Sequence, residues 1–202
     1  MSSIAFVGPQ GAGKSTLAEM LTERRRQPYT LLPIAEAIRS VASIAYCNYM
    51  EDFSKVGSYT VRKLGLDVQK SGREILQDVG AALRDVDARF WVKAWDYEYQ
   101  KLRCYGKDLV VVDDVRLPIE TEYLKECVRD LVIVRVFASV EVRSQRRGKL
   151  MGTSDITETA YQHAPYDLEI DTTLLTADQS YAILHKHMVD NGLWQSALED
   201  ER

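Results

Sequence analysis

Eight consecutive residues, Gly8-Pro9-Gln10-Gly11-Ala12-Gly13-Lys14-Ser15, carry the most legible chemistry in this chain. Glycines at 8, 11 and 13 allow a tight turn whose backbone N–H groups point inward, where an anion can lie against them. Lys14 adds a positive charge that reaches the outer phosphates of a nucleotide, and the Ser15 hydroxyl is an oxygen ligand of the kind Mg²⁺ takes. The setting agrees. Ile4-Ala5-Phe6-Val7 leads in as an apolar strand, and Thr16-Leu17-Ala18-Glu19-Met20-Leu21 leads out as a helix whose N-terminus favours the same anion. This is the P-loop pattern, and it marks Gly8, Gln10, Gly11, Ala12, Gly13, Lys14, Ser15 and Thr16 for nucleotide binding.

Carboxylates and arginines supply the rest. The run Leu109-Val110-Val111-Val112 is continuously apolar and ends in Asp113-Asp114, as expected of a strand buried on both faces with an acid at its carboxyl end. Beside a P-loop, Asp113 or Asp114 would hold Mg²⁺ directly or through water; the strand end favours Asp113. Arg116 follows, and Pro118 suits the first position of the next helix. Ser71-Gly72-Arg73-Glu74 has capping-box spacing and predicts a helix to about Val86. Its apolar face carries Ile75, Leu76, Val79, Leu83 and Val86, while Arg73, Gln77, Gly80 and Arg84 form a separate stripe with a glycine that leaves room for an approaching group. Arg73 and Arg84 stand roughly 16 Å apart along the axis, too far to share one phosphate without bending toward it. A third group, Arg143, Arg146 and Arg147, lies on one side of a helix entered from Ser139 and suits a phosphate-clamping lid.

The elements that must position these groups alternate strand with helix. The P-loop helix is expected from Lys14 to about Arg26, closed by Pro28, and a second strand over Tyr29 to Ile34. The helix beginning at Glu36 follows that strand, so Glu36 and Arg39 become candidates by position, because loops at the carboxyl ends of parallel strands gather around the ligand. Cys47 to Lys70 is expected to be an irregular insertion. A helix over about Ala88 to Leu102 buries Trp91, Trp95, Tyr99 and Leu102 as a core stripe. Strands over Leu131 to Phe137 and Leu168 to Asp171 follow, with Asp155 to Glu158 capping a short helix to about His163 between them. Thr176-Ala177-Asp178-Gln179 starts a last helix that ends near Gly192.

With 202 residues, one α/β core is expected: residues 1–202 as a single domain, with about 36–105 as a helical acceptor-binding part and about 139–165 as a lid. A net charge of -4 gives no bulk attraction to nucleic acid. Cys47, Cys104 and Cys127 lack CxxC or Cys/His spacing and read as free thiols of a reducing compartment, and His185-Lys186-His187 reads as a solvated helix. A core strand begins after three residues and no run reaches membrane-spanning length, so neither signal peptide nor membrane is expected, and the cytoplasm is the expected location. The fold class is therefore α/β, a P-loop NTPase fold with a parallel sheet of about five strands, helices on both faces and a small helical lid.

Guanine-reading and switch motifs are missing, which leaves small kinases. A hydroxyl acceptor wants a carboxylate base, whereas a phosphate acceptor is already largely ionised and wants arginines on both sides. The segment Ser71 to Gly80, continuing to Arg84 and Trp91, resembles the Arg-x-x-Leu-Gln-x-x-Gly segment of phage-type deoxynucleoside monophosphate kinases. Val111 to Glu120 resembles that family's Asp-Val-Arg-Phe-Pro-Asn-Glu segment, with Leu117 and Ile119 as departures, and Thr157-Glu158 stands where the family shows Ser-Glu. The resemblance implies transfer of the γ-phosphate of ATP to a deoxynucleoside monophosphate, with ATP and Mg²⁺ required. It implies Lys14, Arg73, Arg143 and Arg147 as the catalytic set, with Arg143 also on the donor. Glu36, Arg39, Arg73, Gln77, Arg84, Asp114 and Arg116 fall to the acceptor, and Ser15, Asp113 and Asp114 to the metal. The family pattern favours Asp114 over Asp113. The implied partners are small nucleotides, with a homodimer open, in the host cytoplasm if phage-encoded. Rivals are phosphomevalonate or dephospho-coenzyme A kinase-like enzymes and a non-catalytic nucleotide sensor.

Overall fold

In the computed structural model, residues 1–24, 28–47, 53–147 and 159–194 are described. The chain divides into two compact units, one formed by Met1–Pro33 with Tyr99–Arg202 and the other by Ile34–Glu98.

The first unit is built on a five-stranded parallel sheet with helices on both faces. Its strands are β1 (Ser3–Val7), β2 (Thr30–Leu31), β5 (Val110–Val115), β6 (Leu131–Phe137) and β7 (Leu168–Asp171), in the order β2-β5-β1-β6-β7. The helices are α1 (Lys14–Glu19), α5 (Pro118–Cys127), α6 (Val140–Arg147) and α7 (Ala177–Asp190). Central strands bury both faces, which is why they read as unbroken apolar runs. Ile4, Phe6, Val132, Val134 and Val136 meet Leu17, Leu21, Leu184 and Met188 of the helical layer in one core cluster. Ala5, Val7, Val112 and Ile133 alternate with them and are also fully buried. The sheet centre thus places the carboxyl ends of β1, β5 and β6 side by side, where the P-loop leaves β1.

The second unit contains α2 (Ala35–Tyr46), an antiparallel hairpin of β3 (Ser58–Lys63) and β4 (Leu66–Ser71), α3 (Gly72–Val86) and the first part of α4 (Phe90–Cys104). Its core gathers Ala42, Phe53 and Ile75 with Tyr59, Val61, Leu76 and Val79. Ser71 caps α3 as its spacing predicts: its hydroxyl accepts from the Glu74 N–H and the Glu74 carboxylate accepts from the Ser71 N–H. Thr176 and Gln179 make the same reciprocal pair at α7.

Several boundaries differ from the expectation. The P-loop helix is α-helical only to Glu19 and continues as a π turn over Met20–Arg24, where the Thr22 hydroxyl donates to the Ala18 carbonyl at 3.0 Å; Arg25 and Arg26 lie outside the described residues. Strand β2 shrinks to two residues, since Pro33 has no N–H to donate and Ile34 already serves as N-cap of α2. The described part of the expected irregular insertion holds the β3–β4 hairpin, turned at Leu64 (φ 50°) and Gly65 (φ 83°). Val86, assigned to the apolar face of α3, is 77% exposed at its last turn. A 3₁₀ turn over Ala160–His163 occupies the end of the expected short helix, whose cap at Asp155 to Glu158 lies outside the described residues.

Candidate active site

The P-loop is shaped by close approach. A side chain at Gly8 (φ 150°) would put its Cβ 2.0 Å from the Val136 carbonyl oxygen, so only glycine lets β6 run this near the loop. At Gly11 (φ 80°) a Cβ would press on the Arg143 Cβ at 3.2 Å, which seats α6 against the loop. Lys14 is buried, with only 6% of it exposed, yet its ammonium is satisfied by the carbonyls of Gly8 and Pro9, each at 2.8 Å. Those two bonds hold the Gly8 and Pro9 carbonyls on the lysine. Gly13 caps α1 with no side-chain partner, so the first-turn N–H groups are offered to a ligand. Ser15 and Thr16 are exposed beside them.

The acids sit on an irregularity. Ala5 pairs with Val112 and Val7 with Val115, so the register shifts and both Asp113 and Asp114 stand opposite the single residue Phe6. Both are half-buried on the strand next to the one that feeds the P-loop. The turn after them is held by Glu120, whose buried carboxylate accepts from the N–H groups of Arg116 at 2.8 Å and Leu117 at 3.0 Å. Pro118 begins α5 as expected.

Of the three arginines of α6, Arg143 and Arg146 reach the P-loop backbone. Arg143 donates to the Gln10 carbonyl at 3.2 Å and to the Ala138 carbonyl at 3.2 Å. Arg146 donates to Gly11 at 3.4 Å and forks onto the hydroxyl and carbonyl of Thr172 at 2.9 and 2.7 Å. Arg147 is exposed at the end of α6. Next to this clasp a cavity of about 160 Å³ is lined by Gly13, Thr16, Leu17, Arg146, Thr172, Leu175, Ala177 and Ser180. Arg146 belongs to the arginine group that the sequence marks for phosphate clamping, although outside the catalytic set, whereas no motif marks Thr172. The available signal was positional: Thr172 follows β7 at the carboxyl end of a parallel strand.

Within the second unit, α2 carries Glu36 and Arg39, and α3 carries Arg73, Gln77 and Arg84. The Arg84 guanidinium and the Ile38 tip would stand 3.4 and 3.6 Å from a Cβ at Gly80, so the glycine of the stripe is where α2 and the Arg84 side chain settle on α3. Trp91 ties its Nε1–H to the Gly80 carbonyl at 2.9 Å, and Trp91, Trp95 and Tyr99 are buried. Arg39 pairs with Glu36 at 3.0 Å, while its buried Nε finds no acceptor among the described residues. Arg73 and Gln77 are half-buried along the same helix. The start of α3 is fixed by the preceding loop: a Cβ at Gly72 would fall 2.0 Å from the Ser54 carbonyl oxygen, and the Arg73 N–H donates to Lys55 at 3.0 Å.

A parallel sheet with a P-loop after its first strand and an arginine-bearing helix seated on that loop has the fold of the small-molecule P-loop kinases. The chain belongs to the chloramphenicol phosphotransferase-like family, whose model matches residues 3–189. Among solved structures it is similar to shikimate kinase from Acinetobacter baumannii, at 17% identity and a TM-score of 0.57 with 96% of each chain covered. It is also similar to a gluconokinase from Sinorhizobium meliloti, at 16% identity and a TM-score of 0.52, covering 96% of this chain and 97% of that one. No curated protein sequence matches it. No helix among the described residues is long and apolar enough to cross a membrane.

Proposed function

We propose that the protein transfers the γ-phosphate of ATP to a deoxynucleoside monophosphate, giving the diphosphate and ADP. The observation that carries the donor half is the P-loop, with Lys14 locked on the Gly8 and Pro9 carbonyls and an uncapped helix N-terminus beside it. Lys14 and the loop N–H groups bind the phosphates and stabilise the charge that builds during transfer. The neighbouring cavity takes the rest of the donor against Leu17, Leu175 and Ala177. Mg²⁺ suits the donors present, since the Ser15 hydroxyl and the two half-buried carboxylates are all oxygen. When bound, the ion would neutralise charge on the transferred group.

The acceptor half is supported by the arginines that two helices of one unit carry: Arg39 with an unsatisfied buried Nε, Arg84 laid over Gly80, and Arg73 at the start of α3. Guanidinium forks suit a phosphate monoester, and such a nucleophile needs no base because its second pKa is about 6. Arg143 and Arg147 complete the catalytic set from α6. A second reading, in which the acceptor is a hydroxyl compound, is favoured by the family and by neighbours named for shikimate and gluconate. ADP release measured against a panel of nucleoside monophosphates, sugars, sugar acids and hydroxyl antibiotics separates the two. Turnover with deoxynucleoside monophosphates is expected. Turnover confined to hydroxyl acceptors would overturn the reading, and ATP binding without turnover on any acceptor would favour a sensor.

A further inference from the structure

Each carbonyl from Gly8 to Gly13 accepts a hydrogen bond, and two of the donors, Arg146 and Thr172, come from far along the chain. Gly8 and Pro9 are held by Lys14, Gln10 by Arg143, and Gly13 by the Leu17 N–H of α1 at 3.1 Å. Gly11 and Ala12 remain. The Ala12 carbonyl, on a fully buried residue, accepts from the Thr172 hydroxyl at 2.8 Å, and Gly11 accepts from Arg146. A loop binds anions only while its N–H groups face inward, and each carbonyl fixed outward keeps its peptide turned that way.

We propose that Thr172 and Arg146 are positioning residues for the donor-phosphate loop, tying its orientation to the end of β7 and to the cavity beside it. Thr172 has a fixed base, since its N–H donates to Phe137 at 2.8 Å and so continues the β6–β7 ladder. Its hydroxyl gives its single proton toward Ala12, nearer at 2.8 Å than Phe137 at 3.2 Å, and accepts from Arg146. Arg146 closes the clasp by spanning Thr172 and Gly11. Both side chains also line the cavity with Gly13 and Thr16, so a group bound there touches the same clasp that orients the loop. The proposal rests on ATP as donor and is independent of the acceptor.

Thr172→Val keeps the shape and removes the hydroxyl, whereas Thr172→Ser keeps the hydroxyl. Binding of Mg-ATP and of inorganic tripolyphosphate, measured by calorimetry without acceptor, reads the loop directly. The valine variant should weaken both about tenfold, as for a buried acceptor left unpaired, and the serine variant should restore both. If the valine variant fails to fold, Arg146→Lys decides, because it keeps the charge and removes the fork; tripolyphosphate binding should weaken there too. Weakening of ATP alone, with tripolyphosphate unchanged, would reduce Thr172 to a cavity wall and overturn the proposal. So would a loss shared equally by the serine variant. If the wild type binds neither ligand, the donor reading fails and this proposal with it.

Discussion

At the scale of single residues, the P-loop depends on two side chains of opposite kind, one absent and one charged. Gly8 is required by the 2.0 Å approach of the Val136 carbonyl oxygen. Gly8→Ala should therefore cost about 3 kcal/mol, because the obstacle is sheet backbone that cannot step aside. Urea denaturation should show a lower midpoint with unchanged slope, and an unaltered midpoint would contradict the packing described. Lys14 is not part of the apolar core, although it is buried; its ammonium is solvated by two loop carbonyls. Lys14→Ala should lower turnover about 100-fold or more with circular dichroism unchanged, and near-normal turnover in a folded variant would remove Lys14 from catalysis. The spacing of Gly8 to Ser15 announces this loop without help from the structure. Which of the two adjacent acids would serve a metal was not legible from spacing, since a β-bulge sets both opposite Phe6 and strand alternation no longer separates them.

At the scale of elements, helix starts were legible and irregular segments were not. Ser71 with Glu74 and Thr176 with Gln179 are local hydrogen-bonding devices whose partners lie three residues apart, so their spacing predicts them. The Glu74 carboxyl is held below its usual range, first by the Ser71 hydroxyl and then by the Ser71 N–H. A depressed carboxyl stabilises the fold above its unfolded pKa, about 4.3, and loses that contribution as pH falls through the folded value. Glu74→Gln keeps a capping amide without the titration. The wild type should therefore lose stability relative to this variant as pH falls below about 4.3, and thermal midpoints running parallel from pH 3 to 7 would contradict the linkage. The hairpin Ser58–Ser71 escaped notice because its turn is Leu64-Gly65 in place of an Asn-Gly signal, and because only Tyr59 and Val61 of its apolar face reach the unit's core.

At the scale of the whole molecule, the P-loop, Asp114 and Arg116 belong to the first unit, whereas Glu36, Arg39, Arg73, Gln77 and Arg84 belong to the second. That division predicts separable kinetics: Arg73→Ala should raise the KM for a nucleoside monophosphate about tenfold or more and leave the KM for ATP near its original value. An unchanged monophosphate KM would take Arg73 out of the acceptor site. The sequence by itself determined the alternation of strands and helices, the P-loop and the buried strand that carries Asp113-Asp114, because each is written in neighbouring residues; that the strand runs on past the two acids to Val115 is a finding of the structure. Only the tertiary structure decided the strand order, the role of Gly80 as the seat of Ile38 and Arg84, and the clasp of Arg146 and Thr172 on Gly11 and Ala12. Those contacts join residues up to 160 positions apart in the chain, and no local period or spacing records which distant hydroxyl will meet which buried carbonyl.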